Sequence, residues 1–64
     1  MIAEWELWAC ADEMIRRHGA DAAIEAAMKA DELLEAGEIE GSRIWRLIMH
    51  RISELEAGPQ TRPN

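Results

Sequence analysis

Cys10, His18, Asp31, Ser42, His50 and Ser53 belong to types that can bind metals or move protons and acyl groups, beside the other carboxylates of a chain with 13 Asp and Glu. A zinc site is recognised by Cys or His in pairs at helical or hairpin ligand spacing, and no two of Cys10, His18 and His50 stand that way. A serine nucleophile needs a base within hydrogen-bond reach, and neither Ser42 nor Ser53 lies in a motif that supplies one. Cys10 falls in the middle of a helical stretch, away from the helix N-terminus or cation that would activate a thiolate, so a small buried filler is its expected role. No catalytic residue, metal or cofactor is implied.

Two polar residues stand out because periodicity places them among apolar neighbours. His18 shares a helical face with Leu7, Ala11, Met14 and Ile15. At the last turn its imidazole can reach free carbonyls and complement the helix dipole, which makes a structural role the expected one. Asp31 falls beside Ile24, Ala27 and Leu34 rather than with Glu25, Lys29 and Glu32. A buried carboxylate requires a partner, either an indole N–H or an arginine of another helix, with a ligand-binding carboxylate as the sharper alternative. His18 and Asp31 are therefore the candidate buried polar residues.

The elements that position these groups are helical. The chain has no Val, Tyr or Phe and a single Thr, and Ala, Glu, Leu, Met and Arg dominate it. A first helix runs from about Ala3 to His18 and stops at Gly19; a second starts behind Asp21 as N-cap and stops before Gly37. Ala23, Ile24, Ala27, Ala30 and Leu34 form the expected inner face of this second helix. The third has Glu38 or Ser42 as its cap, sets Ile44, Trp45, Ile48, Ile52 and Leu55 inward, and ends before Gly58-Pro59. Both connections are short, so an all-α, compact three-helix bundle over about 3–18, 21–36 and 39–57 is expected. An open helical hairpin completed by a second copy is the alternative. The domain spans 1–57, and 58–64, polar and carrying two prolines, is expected to be a disordered tail.

The residues His18-Gly19, Asp21-Ala22, Ala30-Asp31, Leu33-Leu34, Gly37-Glu38, Gly41, Trp45, Ile48 and Ile52 together resemble a family of short proteobacterial helical proteins of unknown function. That likeness implies kinship and an all-helical fold, with no activity attached. The second hairpin is also similar to a single tetratricopeptide-like helical hairpin, though no internal repeat extends it into a solenoid.

Charge narrows the function. The net charge is -6, which disfavours nucleic acid and anionic membrane surfaces as partners. The acidic start Met1–Glu6 lacks a signal peptide's positive charge, and no apolar run approaches the roughly 20 residues that span a bilayer. With a lone thiol, this points to the cytoplasm. Yet the third helix is basic outside: Arg43, Arg46 and His50, with Arg51 at the edge and Leu47 in the middle. Trp8 and Trp45 fall on inner faces, whereas Trp5 projects about 130° from the first helix's apolar stripe. Trp5, Met28 and Leu47 are thus apolar groups left over by the core and form the candidate interface.

These features lead to a non-enzymatic protein–protein interaction module, self-associating as a symmetric homodimer. Two alternatives remain. One is a small DNA-binding regulator that uses the basic face of the third helix; the other is an acidic inhibitor occupying the basic groove of a nucleic-acid enzyme.

Overall fold

A computed structural model of the chain describes residues 2–58. Three helices follow one another: α1 (Glu4–His18), α2 (Ala22–Glu35) and α3 (Ile39–Ala57), and the described residues contain no strand. The all-α expectation and the three helix spans hold. Of the tail expected over 58–64, all but Gly58 lies outside the described residues.

At its start, α1 is held by the Glu6 carboxylate, which accepts the Ala3 N–H at 2.8 Å. Acidic Glu4 and Glu6 occupy its first turn and basic Arg16, Arg17 and His18 its last, the arrangement the helix dipole favours. Gly19 ends α1, and a single turn of 3-10 helix, Gly19–Asp21, leads directly into α2. Asp21 was the expected N-cap, but its side chain makes no capping bond. The chain does not begin a new helix there: the Ala22 N–H is donated to the Gly19 carbonyl, so the backbone ladder continues through the bend.

The stop at Gly37 is a Schellman motif. The Glu38 N–H reaches the Leu33 carbonyl at 2.8 Å and the Gly37 N–H the Leu34 carbonyl at 3.0 Å. Gly37 sits at φ 84°, where a side chain would be strained. Of the two expected caps of α3, Glu38 holds the N-cap position, without a side-chain capping bond, and Ser42 does not: its N–H is donated to the Glu38 carbonyl in the first turn, and its side chain is buried.

Helix α3 is the centre of the assembly. α2 packs against it most extensively, α1 next, and α1 and α2 touch each other least. One core joins Leu7 and Ala11 of α1, Ala22 and Ala26 of α2, and Ile48 and Ile52 of α3, with Cys10, Met14, Ile15, Trp45 and Met49 half-buried around it. Small residues on α2 do face large ones on its neighbours. The face itself differs from the expected one: Ala22, Ala26 and Ala30 are buried, whereas Ile24 is 60 % exposed and Leu34 is also open. The reason is Asp31. The stripe through Ile24, Ala27 and Leu34 would take that carboxylate into the core, at a cost of several kcal/mol without a partner, while leaving Ile24 outside forgoes about 1.5–3 kcal/mol. The stripe Ala22–Ala26–Ala30 carries no charge, and its small side chains let α2 lie close to α3. At the far end Leu33 approaches α3 so closely that a Cβ on Gly41 would lie 3.3 Å from its Cδ1.

Ser42 is 2 % exposed, and its hydroxyl has no hydrogen-bond partner. A buried hydroxyl left unpaired is destabilising, and Ser is also a weaker helix former than Ala. Ser42→Ala is accordingly expected to raise stability by ~1 kcal/mol, a shift of about 4–8 °C in Tm for a domain of this size. A lower melting temperature would show that the hydroxyl has a partner after all.

Candidate functional site

The groups singled out for chemistry are dispersed. His18 is exposed at the C-terminal end of α1, not buried, because α1 meets its neighbours through Leu7 and Ala11 and its last turn runs past the core. Asp31 is likewise exposed, on the side of α2 turned away from α3. Neither residue is a buried polar group. Asp31→Ala should therefore change stability by no more than about 0.5 kcal/mol, as surface substitutions do; a melting temperature lowered by several degrees would show that the carboxylate has a structural partner. Cys10 is free and half-buried beside the core. Among the described residues no group of three or more His, Cys, Asp or Glu is placed to hold a metal ion, and no cavity is found.

The exposed ion pairs of α1 join neighbours one turn apart, Arg16 to Asp12 at 2.9 Å and Arg17 to Glu13 at 2.7 Å. The Arg17 guanidinium beside it holds the Glu13 carboxyl below its ordinary range. Both pairs face solvent and add little.

Arg51 behaves differently. It was placed at the edge of the basic face, but its side chain is only 21 % exposed. Its Nη2 lies 2.8 Å from Glu4 Oε2, its Nε donates to the same oxygen at 3.0 Å, and its guanidinium carbon stands 5.1 Å from the centre of the Trp8 ring. Arg51 is thus an internal clamp that ties the start of α1 to α3, and the basic face of α3 reduces to Arg43, Arg46 and His50, all exposed. Arg43 has Glu40 at 3.6 Å; Arg46 makes no ion pair among the described residues.

What the structure does bring to the surface is apolar. Trp5 is 70 % exposed, and Ile24, Met28, Leu34, Ile39, Leu47 and Leu55 are exposed as well. Among the described residues the large apolar side chains fully buried are Leu7, Ile48 and Ile52, with alanines beside them and Met14, Ile15, Ile44, Trp45 and Met49 half-buried around them. Seven large apolar groups are thus left exposed beside a small, alanine-rich core, more than packing within the chain accounts for. All three candidate interface residues, Trp5, Met28 and Leu47, are among the exposed ones. Ile39 joins them, as do Ile24, Leu34 and Leu55, three residues expected on the inner faces of the second and third helices.

No helix is long and apolar enough to cross a membrane among the described residues. Comparison with protein-family models, curated proteins and solved structures gives no match.

Proposed function

We propose that the chain is a non-enzymatic protein–protein interaction module that associates with copies of itself, the homodimer being its smallest assembly. The observation that carries this reading is the set of large apolar side chains left exposed on all three helices, Trp5, Met28 and Leu47 among them. A core of three large aliphatic residues and a set of alanines is thin for 64 residues, and chains of this size commonly draw the missing burial from a second subunit. The exposed groups lie on all three helices, so a partner reaches them without any rearrangement of the fold. The single thiol, Cys10, suits the reducing cytoplasm, where such a module would work.

The DNA-binding alternative loses support. Its basic face was to include Arg51, which is committed to Glu4 and Trp8, and the remaining Arg43, Arg46 and His50 sit on a chain of net charge -6.

Sedimentation across a concentration series tests the proposal. The expected result is a mass above the monomer that rises with concentration and falls in the Leu47→Glu and Trp5→Ala variants. A monomeric mass throughout the series contradicts self-association.

A further inference from the structure

We infer that the chain exchanges α1 with a second copy: the bend at Gly19 straightens, α1 and α2 become one helix, and each α1 packs on the α3 of the other chain. This goes beyond the surface association proposed above, in which each fold stays closed. The bend hangs on one residue. Gly19 stands at φ 57°, ψ -127°, far from the helical region. Its neighbours are close to it: His18 at φ -115°, ψ -9° is helical, Asp21 at φ -91°, ψ 5° borders the region, and Ala22 is helical again. His18, Gly19, Ala20 and Asp21 are all exposed, so the linker contributes nothing to the core, and a Cβ on Gly19 would meet nothing within 4 Å.

What holds α1 down is α3. Leu7 and Ala11 share a core with Ile48 and Ile52, and the Arg51 guanidinium reaches Glu4 at 2.8 Å, while α1 and α2 touch each other least. Straightening therefore costs chiefly the α1–α3 contact, and the α3 of a second copy returns the same residues to the same partners. A lone straightened chain has no such return, because Leu7 and Ala11 lose their apolar cover. Exchange is thus two-fold and concentration-dependent, a low-cost route to a dimer where a hinge permits it. The two forms differ widely in length. In the closed chain Glu4 lies at Arg51 and Leu33 against Gly41, positions about 15 Å apart along α3. In one continuous helix Glu4 and Leu33 stand about 45 Å apart.

Two substitutions at the hinge act in opposite directions. Gly19→Ala strains the bend and favours the continuous helix, and with room for the methyl its effect comes from the backbone alone. Ala20→Pro does the reverse: its fixed φ suits the 3-10 turn, whereas inside a continuous helix it clashes with the preceding turn and keeps Gly19 out of the helical region. Spin labels on cysteines replacing Ala3 and Glu35, both exposed, in a Cys10→Ala background diluted with unlabelled chain, read the distance within one chain; sedimentation reads the mass. In the parent, a long distance of about 50 Å should grow with the dimer as concentration rises. Gly19→Ala should strengthen dimerisation about tenfold per hinge, or about a hundredfold for the pair, and Ala20→Pro should remove the long distance. Association at the short distance alone overturns the exchange and leaves the surface association standing. A long-distance dimer indifferent to Leu47→Glu and Trp5→Ala supports the exchange and counts against that association. A Gly19→Ala chain that keeps the short distance, or shows the long one as a monomer, also overturns the exchange, as does an Ala20→Pro chain that is folded by circular dichroism and retains the long distance.

Discussion

Ala26→Glu is expected to leave the chain unfolded at room temperature, while Ile24→Glu, two residues away, folds as the parent does. Ala26 is 0 % exposed and belongs to the core cluster, whose buried members are all uncharged. A carboxylate forced there is either left charged without a partner or protonated at the expense of packing, at a cost of several kcal/mol. The whole stability of a 64-residue domain is about 3–10 kcal/mol, so one such substitution consumes most or all of it. Ile24 points into solvent, and the same glutamate there should change stability by about 0.5 kcal/mol. Far-ultraviolet circular dichroism in a thermal melt checks both, at low protein concentration so that association does not contribute to apparent stability. The opposite outcome, a folded Ala26→Glu and an unfolded Ile24→Glu, would mean that α2 is rotated and that the Ile24–Ala27–Leu34 stripe is the buried one.

The second large effect belongs to Arg51. Its replacement by Ala removes a charge-assisted bond to Glu4, the contact over the Trp8 ring and the packing of the side-chain stem, all at a site only 21 % exposed. Together these are worth about 1–3 kcal/mol. Glu4→Gln should cost about 0.2–1 kcal/mol, because the carboxylate side of the pair is solvent-exposed. The asymmetry is diagnostic: a clamp resting mainly on the ring and the stem loses far more from the arginine than from the glutamate. Equal losses in the two variants would mean that the ion pair carries the contact and the Trp8 ring does not. Trp8 fluorescence in the Arg51→Ala variant should report the change directly, since the cation leaves its face.

Helix boundaries were legible because their signals are local. Glycines at positions 19, 37 and 58 coincide with breaks in the 3.6-residue apolar period, and Gly37 closes the α2 terminus by the capping geometry its type suggests. The rotation of α2 was not legible from periodicity alone. Alanines at 22, 23, 26, 27 and 30 make two of its faces equally small, and the larger Ile24 and Leu34 draw the apolar average toward the wrong one. The decisive residue was Asp31: a charge inside a stripe argues that the stripe faces water, and the reading that supplied it with a buried partner took the costlier solution. Ser42 was misread by type, since serine before an apolar run resembles a cap, while the helix had already begun at Ile39. The Arg51–Glu4–Trp8 clamp links residues 47 apart, a distance at which helical spacing carries no information. As for the candidate interface, the exposure of Trp5, Met28 and Leu47 was foreseeable from the wheel, and that of Ile24 and Leu34 was hidden by the same rotation.

On the proposed self-association, a second copy of the chain covers the exposed apolar side chains. Methyl NMR with a soluble paramagnetic probe reads this most directly, by following the methyl groups of Ile24, Met28, Ile39 and Leu47 from micromolar to millimolar protein. These methyls should relax as exposed groups in dilute solution and become protected together as concentration rises, with the buried Ile48 and Ile52 protected throughout. Methyl groups of Ile24, Met28, Ile39 and Leu47 that stay equally accessible over the whole range would contradict it.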